Sequence, residues 1–364
     1  MSLPSIVDEL NSLLPGMERE IHASVVTLVC GESLLLVGPP GTAKTRLIDL
    51  LSEKIRGRCF RILLSPYTEP DELLGPVDIQ KYREGKFSRR VDGYLPTAHI
   101  VFLDEIFRAS SAVRTLLLDV MMYKRVKMDG ADVRIPVLAI YTASNEVSRE
   151  REDSAFSDRL LLRVFQEEDG TDRELLARVI RAGIRLEDRR LQPSLTPEDV
   201  ELVQRRCVSL AQEVPDYVVS KEVDAIVRLK EKGVRLSRRR AVKTLKVASA
   251  IAMLNQRDRI TSQDLREALA YTAPLFPEQV PAVREALEDC FRMSERAEAL
   301  RMEIMEEVER AKTRSKDFAL LGEFLMRKAE EAGKLEDSEE REEILALIEG
   351  LAREWRKRVQ NLGQ

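Results

Sequence analysis

The sequence predicts an α/β fold: a doubly wound, five-stranded parallel sheet, then a helical lid and a C-terminal α-helical extension. Three observations predict it. Leu34–Val37 is an apolar run that gives way to the turn-forming Gly38-Pro39-Pro40-Gly41 and then to a helical pattern from Lys44. His99–Leu103 is a second mostly apolar run, closed by two acids, Asp104 and Glu105. Further apolar runs alternate with helix-period segments as far as Phe165, after which only helical periodicity continues. Strands buried on both faces read as continuous apolar runs, and strand–helix alternation implies parallel pairing.

Residues 1–32 read as largely helical. Ile21, Val25, Leu28 and Val29 recur near a 3.6-residue period, and Gly31 ends the helix. Strands are expected at Ser33–Val37, about Cys59–Leu64, a third ending at Asp104-Glu105, Val137–Thr142 and about Leu161–Phe165. Helices are expected at Thr45–Ile55 and Ala112–Met122. Pro66–Leu95 is too long and turn-rich for an ordinary connection and is expected to be a functional insertion.

A mostly helical block, about Thr171–Leu275, follows the Asp169-Gly170 turn. Thr196-Pro197-Glu198 and Thr261–Asp264 have the chemistry of helix starts. No proline follows Pro281. Val283, Leu287, Cys290, Ala297, Leu300, Ile304 and Val308 mark one helical stripe. Gly333-Lys334 breaks the pattern, and Asp337 with Glu340 starts a second helix bearing Ile344, Leu347, Ile348, Leu351, Trp355 and Val359 on one face. The domains expected are therefore 1–170, 171–275 and 276–364.

Composition bounds the function. A chain of 364 residues with 44% hydrophobic residues supports two or three domains, and a net charge of −4 argues against a nucleic-acid footprint over the whole chain. No apolar run approaches the length of a membrane span, and Met1–Gly16 lacks the pattern of a signal peptide. Cys30, Cys59, Cys207 and Cys290 show no C-x-x-C pairing and read as reduced thiols of a cytoplasmic protein. His22 and His99 are too isolated for a metal site.

The chemistry concentrates in two places. Gly38-Pro39-Pro40-Gly41-Thr42-Ala43-Lys44-Thr45 joins a strand to a helix, the geometry that turns loop amides and a helix N-terminus toward a phosphate. Lys44 would lie beside the β- and γ-phosphates, and Thr45 would offer its hydroxyl to Mg²⁺. The phosphate-loop pattern asks for Gly at position 43, so Ala43 is expected to hold a negative φ, as at the start of a helix.

Asp104 would hold Mg²⁺, and Glu105 would orient and polarise the water that attacks the γ-phosphate. Together these features indicate nucleoside-triphosphate hydrolysis. Asn145, at the tip of the next strand, suits a hydrogen bond to the γ-phosphate or the attacking water. Arg159 can project toward a neighbouring subunit's γ-phosphate. In the basic run Arg235–Lys246 one arginine is expected to reach back to the nucleotide and couple the lid to it; contact with a nucleic-acid backbone is the alternative.

This combination resembles an AAA+ ATPase of the MoxR family, and within it the RavA branch. The residues that carry the resemblance are Gly38–Thr45, Phe102–Ile106, Ala143–Glu146, Asp158–Leu160 and Leu236–Arg239, and it spans about residues 10–275. Ala43 in place of Gly is common in that family. The resemblance assigns Lys44 and Thr45 to Walker A and Asp104 and Glu105 to Walker B. It makes Asn145 sensor 1, Arg159 the arginine finger and Arg239 sensor 2, with Arg238 or Arg240 taking that last role if the helix is shifted by one residue. Gly16-Met17 would lie near the adenine.

It further implies ATP and Mg²⁺ and a ring, usually a hexamer, with sites between subunits. Pore-side insertions could come from Pro66–Leu95 and Lys127–Pro136. A protein client and a partner bearing a von Willebrand factor A domain complete the expectation. A nucleic-acid motor and a nucleotide-gated scaffold are the competing readings.

Overall fold

The protein is described by a computed structural model covering residues 3–85, 88–149, 154–166, 172–186, 191–292, 295–313, 318–335 and 338–362. Two helices, α1 (Leu3–Leu13) and α2 (Glu18–Cys30), precede β1 (Ser33–Val37). The chain continues through α3 (Lys44–Glu53), β2 (Cys59–Leu63), the short α4 (Pro70–Leu74) and α5 (Ile79–Arg83), then β3 (Ile100–Asp104) and α6 (Ser111–Tyr123). A hairpin, β4 (Arg125–Met128) and β5 (Ala131–Arg134), leads to β6 (Ala139–Ser144), α7 (Ser154–Ser157) and β7 (Leu162–Phe165).

The rest is helical: α8 (Arg173–Leu186), α9 (Pro197–Gln212), α10 (Asp216–Glu231), α11 (Arg238–Leu254), α12 (Ser262–Thr272), α13 (Val280–Cys290), α14 (Glu295–Thr313), α15 (Phe318–Ala332) and α16 (Ser338–Leu362).

Among the described residues the main sheet has five strands in the order β2-β3-β6-β1-β7, all parallel. β1 is central, with Leu34 opposite Tyr141 on one side and Leu162 on the other. Side chains alternate across the sheet. Leu34 and Leu36 join a core with Ile21, Leu28, Val247 and Ile251, while Leu35 and Val37 join Val101, Leu103, Val113 and Leu117 on the opposite face. Burial on both faces is why β1 reads as an unbroken apolar run.

Helices α9–α13 share the first of these cores with α2 and the sheet. Thr196 and Thr261 close reciprocal capping boxes with Asp199 and Asp264, as their sequence chemistry predicts. Helices α14–α16 enclose a separate core, built on Leu300, Ile304, Leu325, Ile344 and Ile348.

Several expectations shift. The fourth strand of the sheet starts at Ala139 instead of Val137, because its pairing with β1 runs from Ser33 with Ile140 to Val37 with Ser144. Lys127–Pro136 contains part of a hairpin, turned by Asp129 (φ 53°) and Gly130 (φ 80°), a pair of left-handed residues suited to a two-residue hairpin loop. The stripe expected to run from Val283 to Val308 is two helices. Val283 and Leu287 are buried in the large core, whereas Ala297, Leu300, Ile304 and Val308 are buried in the C-terminal one. Between Gly333 and this second helix there is a further element, α15. The expected turn at Asp169-Gly170, the cap at Asp337 and the side chains of Trp355 and Val359 lie outside the described residues.

Candidate active site

β1 delivers the phosphate-loop residues to the C-terminal edge of the sheet, where open α/β sheets bind ligands. Lys44 and Thr45 open α3, and Ala43 is the residue before it. The expected negative φ at Ala43 is corrected by the structure: φ is 58° and ψ 17°, in the left-handed region. The loop reverses direction there before entering the helix, so Ala43 carries a backbone strain that glycine would not.

Gly38 is required for a different reason. A Cβ built on it would lie 2.7 Å from Cβ of Gln166. Gln166 braces the loop: its Oε1 accepts from Thr42 Oγ1 at 2.7 Å, and its backbone N–H donates to Val37 O at 2.7 Å. Lys44 is 8% exposed, and its Nζ donates to Gly38 O and Pro39 O, each at 2.7 Å. Burial lowers the pKa of its ammonium, against the opposing pull of Asp104 and Glu105.

The acids arrive on the neighbouring strands. Asp104 ends β3, and its Oδ1 accepts from the backbone N–H of Glu105 at 3.0 Å. Glu105 is itself in the left-handed region, with φ 53°, which turns its carboxylate off the strand axis. Asn145 follows β6, next to β3 in the sheet, and its Nδ2 donates to Glu105 Oε1 at 2.6 Å. Arg108 Nε lies 3.5 Å from the other oxygen. The two residues expected to handle the attacking water are thus in contact.

A cavity of about 710 Å³ adjoins the loop. Gly16 and Met17 line it together with Gly41, Thr42 and Ala43, so the turn between α1 and α2 lies beside the phosphate loop. Gly16 has φ 86°, and a Cβ there would press on Leu175 of α8 at 3.1 Å. Other lining residues, Arg19, Glu20, Gln166 and Val179, Ala182, Gly183 and Leu186 of α8, carry no motif and were not legible as site residues. Among the described residues of the helical block expected as a lid, those that line this cavity belong to α8.

These features fit a nucleoside triphosphate with a divalent cation: a cradle that admits no Cβ at Gly38, a buried ammonium, a carboxylate at a strand end and a cavity with room for a nucleoside. Thr45, half-buried in the first turn of α3, and Asp104 are the residues that would hold Mg²⁺.

Arg159 and Arg239 stand elsewhere. Arg159 precedes β7, at the end of the sheet opposite the phosphate loop, where its carbonyl accepts from Ser33 Oγ at 2.7 Å. Met121, Asp158, Arg159, Arg239 and Lys243 line a small cavity of about 90 Å³ there. Burial, and then the charge of Arg239, lower the pKa of Arg159. Arg239 thus stands away from the phosphate loop of its own chain: α11 begins beside Asp158, whose carboxylate accepts from Ser237 Oγ at 2.9 Å.

Arg240, the shifted candidate, is fully buried and donates to the carbonyls of Asp158, Leu160, Leu161 and Thr272. Arg238 is exposed. Part of the basic run is neutralised, since Lys243 and Lys246 both pair with the half-buried Glu32.

A family model described as the MoxR domain in MoxR–vWA–beta-propeller ternary systems matches residues 1–205. An uncharacterized protein of Methanocaldococcus jannaschii is 30% identical over 269 residues, 72% of this chain and 69% of its own length. The chaperone MoxR1 of Mycobacterium tuberculosis is 27% identical over 135 residues, 37% of this chain and 35% of its own. A crystal structure of a candidate ATPase from Cytophaga hutchinsonii superposes with a TM-score of 0.65 at 20% identity, covering 79% of this chain and 92% of that one, a likeness of fold.

Proposed function

The chain belongs to the MoxR family of AAA+ ATPases, and from that premise we propose that it hydrolyses ATP as a chaperone-like remodeller of a protein client. The observation that carries this reading is the convergence of Lys44, Asp104, Glu105 and Asn145 at one edge of the sheet, beside a cavity with room for a nucleoside. Lys44 neutralises charge on the β- and γ-phosphates, and Glu105, oriented by Asn145, polarises the attacking water. Thr45 and Asp104 would hold Mg²⁺, which would supply further charge neutralisation at the phosphates.

Arg159 and Arg239 serve a neighbouring subunit in this reading. They share one cavity at the end of the sheet opposite the phosphate loop, which supports a ring with sites between subunits. The hexamer, the cytoplasmic location and the RavA branch belong to the same proposal. So do the α/β unit and helical block, with α14–α16 as a separate docking arm. A von Willebrand factor A-domain partner is supported by the ternary systems named for the matching family model.

The nucleic-acid reading is weakened by the pairing of Lys243 and Lys246 with Glu32 and by the burial of Arg240.

The test is affinity capture from native lysate with Glu105→Gln plus ATP, against Lys44→Ala. A discrete client or a von Willebrand factor A-domain protein enriched only with Glu105→Gln supports the proposal. Enrichment of nucleic acid instead would contradict it.

A further inference from the structure

The cavity beside the phosphate loop is walled by Leu13, Met17, Phe165, Val179 and Leu186. Such walls hold a flat ring by apolar contact but discriminate poorly between rings of similar shape. One polar group among them is placed to do so. Glu20 is the one acid among the described lining residues, at the third position of α2. It is 7% exposed, whereas Glu18 and Arg19 before it are exposed. Burial pushes its carboxyl above the ordinary carboxylate range, opposed by its own backbone N–H, by Arg19 and by a hydrogen bond with Gln166.

A buried carboxylate is costly unless its acceptor positions are used. It offers about four lone-pair positions, of which Gln166 and the backbone N–H take part, leaving acceptor capacity at the cavity. Gln166 also accepts from Thr42 Oγ1 at 2.7 Å. Glu20 is thus held by the side chain that braces the phosphate loop, and its position relative to bound phosphates is set.

We propose that Glu20 reads the base of the bound nucleotide by accepting a hydrogen bond from its exocyclic amino group. The cavity then takes an amino-bearing purine and rejects hypoxanthine, the base of ITP. This inference rests on the ATP-hydrolysis reading above. Adenine presents an N6 amino donor, and guanine an N2 amino donor. Hypoxanthine has neither and puts a carbonyl where adenine has its amine. In the seat adenine takes, two acceptors would then face each other, and the acid could pair with the hypoxanthine N1–H only if the ring shifted.

Displacement of a fluorescent ADP analogue by ATP, GTP and ITP, with Mg²⁺ and the full-length chain, tests it on wild type, Glu20→Gln and Glu20→Leu. ITP should bind wild type on the order of tenfold to a hundredfold more weakly than ATP. Glu20→Leu should bring ATP and ITP within about threefold of each other, because the charged acceptor is gone. Glu20→Gln can present its carbonyl to an amine or its NH2 to the hypoxanthine carbonyl, and should narrow the gap to less than about tenfold.

GTP behaving as ATP says that either amine is accepted; GTP rejected with ITP places the contact at position 6 of the purine. Equal affinity of wild type for ATP and ITP, or a gap unchanged in Glu20→Leu, would overturn the inference. If Glu20→Leu does not fold, wild type and Glu20→Gln decide by the same ratio. A wild-type protein that binds none of these nucleotides would overturn the hydrolysis reading itself, and the inference with it.

Discussion

Asn145, just beyond β6, donates its side-chain amide to Glu105, just beyond β3, across 2.6 Å. The contact joins two neighbouring parallel strands at their C-terminal ends and holds the proposed base in one orientation. Replacing Asn145 by Ala removes that donor without touching the phosphate loop. Turnover should fall by roughly a hundredfold, the usual cost of one pre-oriented donor, while ATP affinity stays within about threefold. Steady-state hydrolysis and equilibrium binding on one preparation separate the two; an equal loss in both would place Asn145 in binding instead.

Ala43 stands at φ 58° where the loop turns into α3. A left-handed L-residue costs about 1–2 kcal/mol, which glycine avoids at some expense in unfolded-chain entropy. Ala43→Gly is therefore expected to stabilise the protein by about 1 kcal/mol. A urea midpoint that falls with this substitution would contradict the strained loop.

Arg240 and Arg239 are adjacent and should behave as opposites. Burial lowers the pKa of Arg240 to about 10, and its guanidinium serves four backbone carbonyls from α7–β7 and α12. Arg240→Met leaves those acceptors unpaired and should cost about 3–5 kcal/mol. Arg240→Lys should recover only part, because one ammonium cannot reproduce the fork. Arg239→Ala should change stability by less than about 0.5 kcal/mol and lower ATPase activity only in the assembled protein. Denaturant titrations beside activity across protein concentrations check both.

Glu222 on α10 is 5% exposed, and its Oε1 has no hydrogen-bond partner. Burial raises its pKa from 4.5 to about 7. An acid whose folded pKa is raised keeps its proton in the folded state over a range where the unfolded chain has lost it. Its penalty is absent below pH 4.5, grows as pH rises toward about 7 and is constant above that. Glu222→Gln should therefore stabilise at pH 8, by about 3 kcal/mol at most, and do little at pH 4. A gain of equal size at both pH values would contradict this.

Much of the candidate site was legible in sequence because the loop, the acids and Asn145 each lie within a few residues of a strand end. Glu20, Gln166 and α8 were not legible. They reach the site through tertiary packing, and nothing in their local sequence marks it. The position of Arg239 was not legible for the same reason: its helix start is evident from Ser237, but which end of the sheet receives it is decided by Arg240 and Glu32, far apart in the chain. The Asp129-Gly130 hairpin was a missed signal, since that pair between short β-patterned runs is a turn signature. The break between α13 and α14 has no comparable mark, because both helices keep apolar residues at helical spacing while filling different cores.

The central claim is that Glu105 activates water at a nucleotide held by Lys44. It is tested most directly by Mg²⁺-dependent phosphate release from ATP, beside nucleotide binding, for wild type, Glu105→Gln and Lys44→Ala. The account predicts turnover by wild type, binding without turnover by Glu105→Gln, and loss of binding by Lys44→Ala. Phosphate release by Glu105→Gln at the wild-type rate would contradict it.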